Sequence, residues 1–201
     1  MTSTPRRFVH GPPRIAPSSW SIAALAMALA LAAAPAWSSR EAAPYAARAG
    51  LEEARIGATA WAPDAFLAYV ENDEALDPSG AADRWGYLFY SPRLDRARAY
   101  SIRDGRIVVA ENLDIKLEPP PLATEWIDSG AALVAADNGV AREFREKEGG
   151  RLSTMLLMRG AFDDRQPDET TWMLVYTAPN APSLFVVVDA VGGKVRRTWR
   201  G

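Results

Sequence analysis

Two aspartates are the best candidates for catalytic residues in this sequence. Asp104 is followed at once by Gly105, and Asp189 ends an apolar run and is followed by Gly192 and Gly193. A hydrolase that works with carboxylates needs two acids that converge in a cleft and have displaced pKa values. An aspartate before glycine also has a structural use, because its carboxylate accepts hydrogen bonds from nearby backbone N–H groups in a turn. The spacing favours the turn role for both aspartates.

The residue types that are missing exclude most other catalytic classes. The chain has no cysteine, and its one histidine, His10, lies in an N-terminal segment that we expect to be removed. A Ser-His-Asp triad, a cysteine nucleophile and a metal site built from histidine or thiolate are therefore excluded. The acidic clusters at 71–77 and 163–169 lack the spacing of an EF-hand loop, so solvated loops explain them better than calcium sites. We expect no cofactor and no metal.

The first 36 residues have the pattern of a secretory signal peptide. A start that carries arginines precedes a stretch without charge from Trp20 to Ser39, and Ala34-Pro35-Ala36 offers small residues for cleavage after Ala36. An uncleaved anchor is the alternative, although the stretch is mostly alanine and only nearly reaches the length of a membrane-spanning helix. The protein is therefore expected to be exported, to the periplasm or outside the cell. It would touch a membrane only if this segment is retained.

Net charge argues against nucleic acid as a partner. The signal segment holds three of the 23 basic residues and none of the 25 acidic ones, so the remaining chain has a net charge of −5. Nucleic acid requires a basic face. An exported chain without cysteine also has no disulfides, and its length is sufficient for an ordinary hydrophobic core.

Apolar periodicity predicts one helix and three strands in the first half of the chain. Apolar residues at helical spacing indicate a helix from Ala46 to Trp61. After Pro63 we expect either a short helix capped by Asp64 and running through Val70, or a kinked continuation of the first helix. Strands are predicted at 84–91, 98–102 and 106–111, with Asp104-Gly105 as the hairpin turn between the last two.

The second half repeats this order after a run of three prolines. Pro119, Pro120 and Pro121 suit neither a helix nor a central strand, which makes 118–123 a linker that is either a stiff spacer or a polyproline ligand. The apolar stripe of the next segment predicts one helix that starts near Ser129 and ends at Gly149-Gly150. Strands are predicted at 151–158, 170–177, 183–189 and 194–199.

Matching positions in the two halves indicate a divergent internal duplication. Trp85 and Phe89 lead a strand in the first half as Trp172 and Tyr176 do in the second. Each pair is followed by a turn with aspartate and glycine, at Asp104-Gly105 and at Asp189 with Gly193. The modules would span 46–117 and 124–201, and the strand at 152–158 would be an addition in the second copy. The fold class is therefore α+β, with two tandem modules in which a helix packs on an antiparallel sheet.

The stretch "TWMLVYTAPNAPSLFVVVDAVGGKVRRTW" resembles the C-terminal hairpins of PepSY and PepSY-like domains. The matching features are Trp172, Tyr176, Asp189-Ala190, Gly193-Lys194 and Val195, and the first half resembles a weaker copy. The resemblance implies an exported or membrane-associated module with a helix on an antiparallel sheet. Such modules occur in the propeptides of secreted metallopeptidases and in cell-envelope proteins, and a role in restraining peptidases is implied. It transfers no catalytic residue to this chain.

These observations predict a non-enzymatic exported module that binds or inhibits another exported protein, such as a peptidase. A structural component of the envelope and, less favoured, a carboxylate hydrolase are the alternatives. Trp61, Trp85, Trp126 and Trp172 could line a groove, but core anchoring explains their repeated positions more simply. The C-terminal tail is the candidate partner contact, with Trp199 alternatively pinning the last strand. The tail residues singled out are Arg196, Arg197, Trp199 and Arg200.

Overall fold

One antiparallel sheet of eight strands forms the frame of the described part of the chain. The computed structural model describes residues 43–113, 118–160 and 168–201. The expected signal peptide, residues 1–36, and the acidic residues Asp163 and Asp164 lie outside these ranges. The elements are α1 (Leu51–Trp61), β1 (Phe66–Asn72), β2 (Arg84–Ser91), β3 (Arg96–Arg103), β4 (Arg106–Leu113), α2 (Ser129–Asp137), α3 (Val140–Glu148), β5 (Arg151–Arg159), β6 (Thr170–Ala178), β7 (Ala181–Asp189) and β8 (Val195–Arg200). This arrangement confirms the α+β class.

The two halves of the chain meet inside the sheet. The strand order is β4-β3-β2-β1-β5-β6-β7-β8, so each half contributes four neighbouring strands and the halves join where β1 pairs with β5. At this seam Val70 lies opposite Leu157, and Glu71 lies opposite Leu156. The described residues all belong to one compact unit. The boundaries 46–117 and 124–201 for two modules stay a prediction.

Helix α1 lies close to the sheet because small residues line its inner face. Leu51, Ala54 and Ala58 are buried there. A Cβ on Gly57 would lie 2.7 Å from the Cδ1 atom of Ile107 and 3.0 Å from the ring of Tyr100, so a larger residue there would force these side chains to move. The helix ends at Trp61, two residues before Pro63, since a proline inside the helix would remove a hydrogen bond and clash with the preceding turn.

The predicted helix from Asp64 through Val70 and the alternative of a kinked continuation of the first helix are both wrong, because α1 ends at Trp61 and residues 66–72 form strand β1. The carboxylate of Asp64 caps no helix. It accepts hydrogen bonds from Ser91 Oγ at 2.9 and 3.0 Å and from the Arg93 amide at 2.9 Å. The segment "FLAYV" pairs on both sides, and this tertiary pairing outweighs a local pattern that also fits a helix.

Two further expectations for the second half are corrected. The single helix that was expected between Ser129 and Gly149 is two helices, α2 and α3, with a break at Asn138 and Gly139, because "DNG" combines weak helix formers. Its expected end is confirmed, since Gly149 adopts the left-handed conformation with φ 65°. Strand β5 is not an addition in the second half, because β1 is its counterpart in the first.

All three described helices lie on the same face of the sheet. Trp85 of β2 and Trp172 of β6 are fully buried beneath them, and the two rings meet edge to face at 6.2 Å. One row of side chains crosses the sheet on this face and includes Tyr87, Val70 and Leu157. This row and the helices form the hydrophobic core.

The proline-rich segment is tied to the sheet at its C-terminal end. Leu122 is buried, and its amide donates to the carbonyl of Leu67 at 3.0 Å. The amide of Ala123 donates to Thr170 Oγ1 at 2.9 Å, and Arg159 donates to the carbonyl of Pro121 at 3.0 Å. The connection is therefore part of the packed structure at the end of the seam.

Candidate functional site

The two candidate catalytic aspartates lie at opposite ends of the strand order. Asp104 and Gly105 form the turn between β3 and β4, both with positive φ, at 52° and 66°. Asp189 ends β7, at the turn into β8. Six strands of the sheet separate β4 and β8, so the two carboxylates do not converge on one substrate.

Hydrogen bonds hold the carboxylate of Asp189 within the turn. Its oxygens accept from the amide of Val191 and from the guanidinium of Arg196, each at 2.9 Å. Burial opposes its ionisation, but the backbone N–H groups of Gly192 and Val191 and the charge of Arg196 outweigh this and lower the pKa of Asp189. A carboxylate held ionised in a turn stabilises the hairpin, and it is poorly suited to act as a general acid at neutral pH.

The repeated tryptophans of β2 and β6 make the same hydrogen bond. The indole N–H of Trp85 donates to the carbonyl of Tyr45, and that of Trp172 donates to the carbonyl of Ile127, both at 2.8 Å. Tyr45 and Ile127 each precede the helix of their half. Trp126 also contacts Trp172, at 5.8 Å between ring centroids. These rings anchor the core where the halves meet.

The other aromatic positions singled out in the sequence occupy two environments. Phe89 is buried on the helix face and meets Tyr100 edge to face at 5.9 Å. Tyr176 is fully buried, and its hydroxyl lies 3.5 Å from Asp137. Trp61 is only half-buried at the end of α1, with the guanidinium of Arg98 6.0 Å from its ring. Trp61 is therefore a weaker core anchor than the other repeated tryptophans.

The four residues of the C-terminal tail do not form one patch. In β8 the side chain of Arg200 lies on the helix face, over the ring of Phe144 at 4.2 Å. Trp199 lies on the opposite face and stacks on Phe185 at 5.0 Å, with its own ring 5.1 Å from the Arg197 guanidinium. Arg196 is held near the turn by Glu169 and Asp189.

The face of the sheet opposite the helices carries partly exposed apolar side chains in the second half. The register places Leu156, Met173 and Val187 in one row and Val175, Phe185 and Trp199 in the next. All of these except Val187 are partly exposed. No described helix packs on this face. In the first half the row at the seam contains Glu71, Gly86 and Ser101, and the next row contains Tyr69, Leu88 and Ala99, so the apolar rows of the second half are the ones that continue up to the seam.

A groove on the helix side borders strand β8. It lies between the junction of α2 and α3 and the strands β7 and β8, and its volume is about 270 Å³. Its walls include Ala135, Val140, Val186, Val195 and Thr198. Val140 and Val195 are 44% and 45% exposed, which is high for valine in a packed domain. Sequence reasoning missed this groove because it assumed one continuous helix, although the "DNG" break was the available signal.

A second cavity, of about 260 Å³, lies between the loop that follows β1 and the end of α3. Arg145, Arg151 and Tyr176 line it together with leucine side chains. Arg145 is paired with Asp137, and burial raises the pKa of Tyr176.

Within the described ranges, the histidine, cysteine and acidic side chains form no group of three that could hold a metal ion. The three helices described above all lack the length and apolar character that crossing a membrane requires.

Comparisons with known proteins give only distant similarities. No protein-family model and no curated protein matches the chain. Among solved structures, a "putative lipoprotein" from Clostridium difficile 630 is similar with a TM-score of 0.49 and 13% identity, over 75% of this chain and 92% of that one. The C-terminal domain of YpeB from Bacillus megaterium is similar with a TM-score of 0.30 and 10% identity, over 76% of this chain and 64% of that one.

Proposed function

We propose that this chain is an exported, non-enzymatic module of the PepSY-like kind that binds another exported protein in the cell envelope. The observation that carries the proposal is the apolar face of the second half, where Leu156, Met158, Met173, Val175 and Phe185 are partly exposed on the side of the sheet opposite the described helices. Contiguous exposed apolar side chains on a folded domain commonly mark an interaction surface.

The chemistry of the carboxylates supports binding over catalysis. A hydrolase of this composition would require two acids in one cleft, and the best candidates, Asp104 and Asp189, occupy turns at opposite ends of the strand order. The negative net charge of the chain without its first 36 residues further disfavours nucleic acid as the partner.

The resemblance of residues 171–199 to PepSY domains supports a peptidase as one partner class. An inhibitor that uses a sheet face would bury its apolar rows against the enzyme without being cleaved. A structural envelope component is the second candidate, because the same apolar face could pack permanently against a neighbour.

The test is capture of exported proteins by the full chain, followed by identification of what is enriched. Val175→Glu places a charge in the apolar face, and Val134→Glu makes the same change on α2, where Val134 is 62% exposed on the helix side. We expect capture by the wild type and by Val134→Glu, and loss of capture by Val175→Glu.

If the enriched protein is a peptidase, titration of its activity with the chain separates inhibition from simple binding. Capture that both valine variants retain equally would remove the apolar face as the binding surface. Co-sedimentation with the envelope and no enriched partner would favour the structural alternative.

A further inference from the structure

We propose that the outer edge of β8, which no other described strand pairs with, is together with the groove beside it a docking site for an extended acidic peptide that adds a ninth strand to the sheet. The site goes beyond the proposed function, because it uses the edge of the sheet and not its apolar face. Each of the two surfaces can therefore fail without the other.

The backbone of β8 presents hydrogen-bonding groups outward. β8 is the last strand in the sheet order, and among the described strands only β7 pairs with it. The amide of Gly201 donates to the carbonyl of Ser183 at 3.1 Å, so position 201 and every second residue before it bond toward β7. By this alternation the N–H and C=O groups of Thr198 and Arg200 point away from β7, toward an added strand.

The groove supplies a place for the side chains of that strand. Alternate residues of a strand project to opposite faces, so residues of the added peptide beside Thr198 would project to the helix side. There they would meet the walls formed by Ala135, Val140 and Val195. The volume of about 270 Å³ is below the roughly 300–1,000 Å³ typical of small-molecule pockets, and it suits one or two apolar side chains better than a complete ligand.

Charge selects an acidic peptide. From Lys194 to Arg200 the edge carries four cations and no acid, and one of the four, Arg196, is paired with Glu169 and Asp189. Two of them, Arg197 and Arg200, lie on opposite faces of β8, so carboxylates on either face of the added strand would find a cation. The nearby acid Glu143, whose carboxylate interacts with Arg200, is itself bonded to Lys147. Complementary charge of this kind favours encounter and fixes the partner's chemistry.

The opposite edge lacks these features. Strand β4 carries Arg106 and Glu111, and beside it α1 adds Glu52, Glu53 and Arg55, so the charges there are mixed. The hollow on that side is bounded by α1 residues alone and does not reach the strand. An acidic peptide is therefore expected to bind at β8 and not at β4.

The test uses the full chain labelled with ¹⁵N and the peptide acetyl-Glu-Val-Glu-Val-Glu-Val-Glu-amide. Its valines share one face and its glutamates the other. We expect saturable binding, with amide shift changes at Thr198, Arg200 and Val140 and none at Arg106 or Val109. The same peptide with lysine in place of glutamate is expected not to bind.

Two variants test the backbone and the groove separately. Thr198→Pro removes the outward N–H, and we expect an affinity weakened about tenfold or more. Ala135→Leu fills the groove without changing charge and should weaken binding to a similar extent. Ala60→Leu is its matched control on α1, and it should leave the affinity unchanged.

Binding that survives Ala135→Leu, shift changes confined to β4 or to the apolar face, or absence of binding would each overturn the proposal. Because Ala135→Leu retains every backbone group of β8, it remains decisive if Thr198→Pro disturbs the fold. Absence of peptide binding together with capture of an envelope partner would remove the edge site alone and leave the proposed function intact.

Discussion

In the first half of the molecule one continuous helix, α1, packs on β2, β3 and β4, whereas in the second half two shorter helices with a break at Gly139 pack on β6 and β7. The centre is the same in both halves, since Trp85 and Trp172 donate equivalent hydrogen bonds to the residues that precede the helices. The outer strands differ, with mixed charge on β4 and cations on β8. The features that both halves share hold the core together, whereas the features able to distinguish a partner lie at the edge of the second half.

Removal of either central tryptophan tests the equivalence of the halves and should have the largest effect. Trp85→Ala and Trp172→Ala each delete a fully buried ring, and each should lower the free energy of unfolding by about 3–5 kcal/mol. Trp199→Ala, on a partly exposed ring in β8, is the control and should cost clearly less. Urea denaturation followed by circular dichroism measures all three.

Because the seam joins the strands into one sheet, each variant should still unfold in a single transition. Two transitions in either tryptophan variant would show that the halves unfold independently. A large difference between the two variants in the loss of unfolding free energy would show that the tryptophans are not equivalent.

Alanine at matched helix glycines tests the closeness of helix and sheet. In α1 a Cβ on Gly57 would lie 2.7 Å from Ile107 and 3.0 Å from Tyr100, so Gly57→Ala should destabilise the protein by about 1–3 kcal/mol. In α2 a Cβ on Gly130 meets only the carbonyl oxygen of Ser79, at 3.4 Å. Gly130→Ala should therefore stabilise it by about 0.5–1 kcal/mol. The melting temperature should fall for Gly57→Ala and rise for Gly130→Ala. Equal shifts of the melting temperature in the two variants would contradict the tighter packing of α1.

Alkaline pH should loosen the first half more than the second, because burial raises the pKa of Tyr45, Tyr69 and Tyr87 in the first half, whereas Tyr176 is the one tyrosine of the second. Burial raises the pKa of Tyr45 to about 12, while a tyrosine in an unfolded chain ionises near 10. The stabilisation is complete below pH 10 and is lost between pH 10 and 12, because only the unfolded chain releases its proton in that range. Ile127, the counterpart of Tyr45, cannot ionise.

Hydrogen exchange of backbone amides from pH 9 to 11 would locate this loosening, after correction for the intrinsic exchange rate. Tyr45→Phe should reduce the pH dependence in β2 and β3, whose strand ends lie beside Tyr45. Earlier loss of protection in β6 and β7 would contradict the assignment to the first half.

The sequence was sufficient for the strands that local chemistry specifies. Alternation in "RWGYLFYS" and the Asp104-Gly105 turn predicted β2, β3 and β4, and the second half followed the same signals. Strand β1 was missed because Pro63-Asp64 resembles a helix start, and only pairing with β2 and β5 decides its structure. The groove beside β8 was missed for a related reason, since it exists only where the helix breaks and a distant strand passes below.

The residue types of the C-terminal tail do not by themselves predict which of its side chains share a surface. The cations and Trp199 were recognised from the sequence, but the register of β8 sends Arg197 and Arg200 to opposite faces. A cluster in sequence becomes a cluster in space only if the strand's alternation allows it.

The seam between β1 and β5 also determines the order in which the molecule can assemble. It joins Val70 to Leu157, so nearly all of the chain between them must be organised before this pair can close. Until then both strands have unpaired edges, and the same strand of a second chain can pair with either edge in place of the correct strand. Crowded folding should therefore yield exchanged dimers in which the first half of one chain completes its sheet with the second half of another.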